Sequence, residues 1–115
     1  MARTPQEIFQ HHASALMAGD VEGFVADYDD DSLIITPSGV LRGRDGVRAF
    51  FTDMLARLPN ASLQVVTQVF EGDVLFLEWT ADSDKARIRD GVDTFVFRGD
   101  IIGVQTVHCT VEPLS

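Results

Sequence analysis

Residues 91–105 read GVDTFVFRGDIIGVQ. Strand alternation puts Asp93, Phe95 and Phe97 on one face and Thr94, Val96 and Arg98 on the other. A carboxylate on a phenylalanine face must be paired, protonated or out of the core, because a lone buried charge is costly. The run breaks at Gly99-Asp100, where glycine in the first turn position suits a type II′ hairpin.

The same rhythm fills the second half of the chain. ASLQVVTQVF from Ala61, VLFLEWTAD from Val74, ARIRDGVDTFVF from Ala86 and DIIGVQTVHCTVE from Asp100 are rich in Val, Ile, Phe and Thr and predict about four antiparallel strands. Gly72-Asp73 and Ser83-Asp84-Lys85 mark the other turns. Gly91 and Gly103 provide for the bends of a curved sheet.

The first half is helical. Thr4, Pro5 and Glu7 form a capping box, Ile8, His12, Ala15 and Leu16 share a stripe, and Gly19 ends the helix. Asp20 caps a shorter helix with Val21, Phe24, Val25 and Tyr28 on its apolar side. Leu33–Thr36 is a short strand stopped by Pro37, with a turn at Ser38-Gly39. Asp45 is expected to cap a third helix whose apolar face is Val47, Phe50, Phe51, Met54, Leu55 and Leu58, stopped at Pro59-Asn60. Helices early and strands late predict an α+β fold with helices on one face of a sheet.

The 115 residues fit a single domain spanning 1–115. No apolar run approaches the roughly 20 residues of a membrane span. MARTPQEIFQHH lacks the apolar stretch of a signal peptide, so a cytoplasmic location is expected. Net charge of −9 repels phosphate backbones and anionic lipid, which argues against nucleic-acid and membrane partners. Cys109 is the only cysteine; it excludes an internal disulfide and, beside Val107, Thr110 and Val111, reads as a small buried apolar residue. Asp29–Asp31 lack the spacing of a calcium loop and read as a solvated turn. The chain contains no GxGxxG, GxxxxGKS/T or GxSxG, and no cofactor is expected.

Three strings, ALMAGDVEGFVADYDDDSLIITPSG, LRGRDGVRAFF and GVDTFVFRGDIIGVQ, resemble in order and spacing the nuclear-transport-factor-two-like superfamily, and within it the SnoaL-like and ketosteroid-isomerase-like families. The resemblance implies a cone: a strongly curved, mostly antiparallel sheet wrapped around three helices from the N-terminal half, open at one end as an apolar pocket. It also implies a homodimer through the outer sheet face, where Phe76, Val96 and Val66 are expected. By the same resemblance Asp93 falls on the protonated aspartic acid of the isomerase oxyanion hole, a neutral donor. His12 falls on the tyrosine of the first helix, and Thr36 on the aspartate that shuttles the proton. A threonine hydroxyl has no useful basicity near neutral pH, so steroid-type isomerisation is not expected.

The catalytic candidates are therefore Asp93 and His12, either as oxyanion donors and proton relays or as a His–Asp pair with both partners ionised. Ligand-binding candidates are His108, Thr36, Trp79, Phe95, Tyr28, Phe51 and Met54. His108 shares a strand phase with Val104 and Thr106, and the resemblance puts that phase on the pocket side. His12, His108 and Asp93 lie on separate elements and nothing in their spacing demands a metal. The expected function is a pocket for a small apolar carbonyl compound, either isomerised, cyclised or dehydrated without a cofactor, or held unchanged by a binding or dimeric interaction module.

Overall fold

The structure, a computed structural model, describes residues 3–114. Helices α1 (Pro5–Ala18) and α2 (Val21–Val25) come first, followed by strands β1 (Leu33–Thr36) and β2 (Gly39–Arg42) and helix α3 (Gly43–Arg57). Strands β3 (Ser62–Glu71), β4 (Val74–Asp82), β5 (Ala86–Arg98), β6 (Ile101–His108) and β7 (Glu112–Pro113) complete the chain. One seven-stranded sheet has the order β2-β1-β6-β5-β4-β3, with β7 paired to the start of β5. Among the described residues only β1 and β6 pair in parallel.

Local chemistry explains most of these boundaries. Thr4 accepts from Glu7 N at 3.1 Å while Glu7 accepts from Thr4 N at 2.8 Å, closing the capping box, and Gly19 caps the far end in the left-handed region. Asp20 caps α2 by accepting from Gly23 N at 3.0 Å. The β3–β4 and β5–β6 turns place Gly72 and Gly99 at φ 55° and 60°, as a type II′ first position requires.

Three local readings need correction. Asp45 does not cap α3: the helix begins two residues earlier, Gly43 N donates to Ser32 O at 2.8 Å, and Asp45 accepts from Arg48 in the first turn. The turn after β1 is Pro37-Ser38, and Gly39 already pairs with Thr36 in β2, a strand too short to show alternation in sequence. The two-residue β7 is likewise an addition.

Register shifts bend the sheet. β3 carries an extra residue at Val66, β5 shifts phase at Arg89-Asp90, and β6 carries Gly103 between Ile102 and Val104. Each extra residue increases local twist and re-aims the side chains beyond it. Inside the curve, Leu75, Leu77, Trp79, Phe95, Phe97 and Ile102 pack against Ile8, Phe9, Phe24, Val47 and Phe51 of the helices. Phe24 stacks on Phe51 with ring centroids 4.1 Å apart, joining α2 to α3.

Asp27 anchors the helices to the sheet, a role that no local sequence signal announces. Its buried carboxylate accepts from Arg3 Nη1 at 2.9 Å and contacts His11 Nδ1 at 2.7 Å, while its carbonyl accepts from Ile102 N at 2.7 Å. A buried carboxylate survives because it has charged partners. On the outer face, Val40, Ile35, Thr106, Thr94, Phe76 and Val69 form one row across six strands, and Val40, Ile35, Phe76 and Val69 in it are exposed.

Gly91 sits opposite Trp79 in the ladder, and a Cβ there would overlap the indole ring. Its role is close approach rather than bending. Gly91→Ala is expected to cost about 1–3 kcal/mol by overpacking, read as a lower urea midpoint with unchanged slope.

Candidate active site

Between the helices and the inner sheet face lies a chamber of about 250 Å³. Helix α1 contributes His12, α2 Phe24, α3 Met54, β4 Trp79, β5 Asp93 and Phe95, and β6 Gln105. Most of the wall is apolar, so the few polar atoms define its chemistry.

Asp93 is 7% exposed and lines the chamber. Trp79 Nε1 donates to its Oδ1 at 2.9 Å, and Gln105 Nε2 donates to its Oδ2 at 3.0 Å. Tyr28 Oη donates in turn to Gln105 Oε1 through a short hydrogen bond, while the acceptor-only Asp93 carboxylate holds the amide nitrogen. Burial pushes the Asp93 carboxyl up to about 6, and the Trp79 and Gln105 donors oppose that rise. At pH 7 such a group is about ten to one in favour of the carboxylate.

His12 is buried and its Nδ1 has no hydrogen-bond partner. Its ring packs against Phe24 at 4.4 Å and Phe95 at 5.4 Å. Burial, with a minor contribution from the neighbouring His11, drives its pKa down to about 3, so the imidazole is neutral. Leaving Nδ1 as a bare acceptor and the proton on Nε2 is the cheaper tautomer, because a buried orphan N–H is rarer than an orphan acceptor. The expected doubly ionised His12–Asp93 pair is absent among the described residues: the acid takes its hydrogen bonds from Trp79 and Gln105.

The other expected site residues divide. Trp79, Phe95 and Met54 line the chamber. Phe51 lines an adjoining cavity, also of about 250 Å³, that shares Leu16, Met54 and Trp79. Tyr28 is fully buried behind the wall and acts through Gln105. His108 is exposed on the outer face, contrary to expectation: the extra residue Gly103 reverses the phase of β6, so Gln105 and Val107 point inward opposite Phe95 and Asp93. Thr36 lies on a different cleft, and its hydroxyl donates to Gly39 O and accepts from Ser38 N within its own turn. Gln105, the residue that orients Asp93, escapes the sequence reading; the signal for it is the glycine in the strand, which marks a change of phase as well as curvature.

Among the described residues no group of three or more His, Cys, Asp and Glu side chains is poised to hold a metal. No helix there is long and apolar enough to cross a membrane.

Residues 9–103 match the family model described as the SnoaL-like domain. The chain belongs to the SnoaL-like family. No curated protein matches it in sequence. Its fold is similar to that of an NTF2-like protein of unknown function from Burkholderia xenovorans, with TM-score 0.78 and 22% identity over 96% of this chain and 85% of that one. It is also similar to a candidate ketosteroid isomerase from Kribbella flavida, with TM-score 0.77 and 16% identity over 92% and 77% of the two chains. A third similar structure is IdmH, a candidate polyketide cyclase from Streptomyces antibioticus, with TM-score 0.78 and 16% identity over 93% and 92%. Identities this low establish a shared NTF2-like fold, the cone that the resemblance implied, and leave the chemistry to the site.

The two titrating groups of this SnoaL-like chamber oppose each other in pH. The Asp93 value lies above the ordinary 3.8, so its contribution to stability is fully present below about 3.8 and is lost as pH rises through about 6. The His12 value lies below 6.5, so its contribution is present above 6.5 and is lost as pH falls toward about 3. On acidification from pH 7 to 4, Asp93→Asn is expected to lose more stability than wild type and His12→Phe less, as measured by urea melts at each pH.

Proposed function

We propose that this SnoaL-like protein is a cofactor-independent acid–base catalyst acting on a small, mostly apolar carbonyl compound, with Asp93 as general base and His12 as hydrogen-bond donor to the carbonyl oxygen. The observation that carries this reading is the state of Asp93: a carboxylate with a pKa of about 6, held only by donors, in an apolar chamber. A group clamped by two N–H donors is favoured as an acceptor, so it suits proton removal rather than the neutral donor role expected from the oxyanion-hole alignment.

In the proposed step the Asp93 carboxylate takes a proton from the carbon next to the carbonyl. The C–H electron pair moves to form an enolate, and charge develops on the oxygen. Neutral His12 then donates Nε2–H to that oxygen without needing to lose its proton. With a β,γ-unsaturated ketone, return of the Asp93 proton to the γ-carbon of the dienolate completes an isomerisation; attack of the enolate carbon on a second carbonyl of the same molecule, with the Asp93 proton passing to the new alkoxide, gives a cyclisation; expulsion of a β-hydroxyl, which takes the Asp93 proton and leaves as water, gives a dehydration. The mostly apolar wall strengthens both interactions.

Exchange of ketone α-protons tests the base without knowledge of the natural substrate. In D₂O, followed by proton NMR, the protein is expected to accelerate exchange of β-tetralone. Asp93→Asn should lower that rate by about 10²–10⁴-fold and His12→Phe by about 10²–10³-fold. The wild-type rate should rise about tenfold per pH unit below 6 and level off above 7. No acceleration at any pH, or a rate indifferent to Asp93→Asn, would overturn the catalytic reading.

A binding module is the second reading. It is favoured by the Asp93 carboxylate, whose two oxygens already accept from Trp79 and Gln105. A ligand recovered chemically intact after prolonged incubation would support it.

We also propose a homodimer through the outer sheet face, supported by the exposed Phe76, Val69, Val96 and Ile35 side chains. Phe76→Glu is expected to convert the dimer to a folded monomer, visible by sedimentation; a wild-type monomer would remove the idea.

A further inference from the structure

We propose that Met54 is a movable partition that sets the size of the carbonyl compound the Asp93 chamber accepts, and that its displacement joins the chamber to a rear cleft beside Cys109. The inference rests on the carbonyl reading above and adds to it which residue selects among substrates.

Three cavities meet around the middle of α3: the Asp93 chamber, the adjoining cavity toward Gly19 and Asn60, and a smaller one of about 70 Å³ behind them. Among the described residues only two side chains, Met54 and Trp79, line all three. The small cavity shares Phe50, Arg57, Val107 and Cys109 with a rear cleft of about 480 Å³. The route from the chamber to that cleft therefore passes between Met54 and Trp79.

The two walls differ in freedom. Trp79 is pinned, since its Nε1 donates to Asp93 and its ring lies against Gly91 with no room for a methyl group. Met54 makes no side-chain hydrogen bond among the described residues and is only partly buried. Its unbranched thioether has three rotatable bonds and repacks at little cost. When a ligand presses on this wall, Met54 is the side that yields.

Size follows from this. A chamber of about 250 Å³ falls below the roughly 300–1,000 Å³ of pockets for larger ligands and holds about eight waters' worth of volume. That suits a one- or two-ring ketone with its oxygen at His12 and its α-carbon at Asp93. With Met54 turned aside, the rear cleft adds space for an elongated apolar body of three or four rings. The far end of such a body would reach the rim where Arg57 and Asp53 face each other at 3.7 Å.

The test uses the single tryptophan, which forms the fixed wall of the passage, and the single cysteine, which lies beyond it toward the rear cleft. Cyclohexanone, β-tetralone and a saturated tetracyclic ketone are titrated against wild type, Met54→Ala and Met54→Leu. Trp79 emission reports binding, and the rate of Cys109 reaction with a disulfide reagent reports occupation of the rear cleft. Met54→Ala is expected to tighten the tetracyclic ketone by about tenfold or more and to change cyclohexanone by less than about twofold. Met54→Leu, of similar volume but branched and stiffer, should weaken the tetracyclic ketone relative to wild type by about tenfold while Met54→Ala tightens it. The tetracyclic ketone should slow Cys109 labelling in Met54→Ala, and cyclohexanone should not. Equal effects of Met54→Ala on all three ketones, or tight tetracyclic binding without Cys109 protection, would overturn the Met54 assignment and leave the carbonyl reading standing. Failure of every ketone to bind any of the three proteins would overturn the carbonyl reading and the assignment with it.

Discussion

A charged carboxylate inside the apolar concavity of a sheet is unfavourable until something donates to it, and the inner face supplies Trp79 and Gln105 for Asp93. Each donor has a further dependency. Gln105 could present either end of its amide; the acceptor-only carboxylate takes the nitrogen, and the Tyr28 hydroxyl completes the arrangement by donating to Oε1. Trp79 could tilt its indole, and only the missing side chain at Gly91 lets the ring lie flat on β5. The acid is thus the centre of a chain from the end of α2, through β6, β5 and β4. A partly satisfied network of this kind would be worse than an apolar core, so its members are coupled energetically as well as spatially.

Much of the architecture was legible because it depends on local chemistry. The capping box at Thr4 and Glu7, the Asp20 cap, the glycine turns and the alternation through Phe95 and Phe97 are short-range signals, and each reappears in the fold. Asp45 shows the limit of such signals. It has the composition of a cap, but a tertiary hydrogen bond from Gly43 to Ser32 starts the helix earlier. Asp27 shows another: nothing local distinguishes it from Asp29 or Asp30, and its burial follows from Arg3, His11 and Ile102 converging from elsewhere in the chain.

The site was legible only in part, for one geometric reason. Alternation has a period of two, so one inserted residue sends every later side chain to the other face. Asp93 precedes the β5–β6 turn and lies after the phase shift at Arg89-Asp90, so reading outward from Phe95 placed it correctly. His108 lies beyond Gly103; the resemblance put its phase, shared with Val104 and Thr106, on the pocket side, and the extra residue turns that phase outward. The glycine was visible but its consequence for phase was not, since a strand glycine serves equally as a bulge or as a point of close approach, the role Gly91 fills. Gln105 was lost by the same slip.

One environment gives Asp93 and His12 different roles. Loss of water penalises charge on either group, so it raises the acid and lowers the imidazole. Asp93 stops near 6 because two donors stabilise its charged form; His12 has no partner for Nδ1 and continues to about 3. Between these values both groups are neutral, and above about 6 the acid alone becomes charged. Near neutral pH the chamber therefore holds one proton acceptor and one neutral hydrogen-bond donor, with no cation to quench the carboxylate. Under the proposed reading, separation of two titrating groups by their surroundings lets one remove a proton while the other steadies the charge that removal creates. An ionised His12–Asp93 pair would lose that division of labour, because each group would be occupied by the other. Placing Trp79 and Gln105, rather than His12, on the two carboxylate oxygens prevents that pairing.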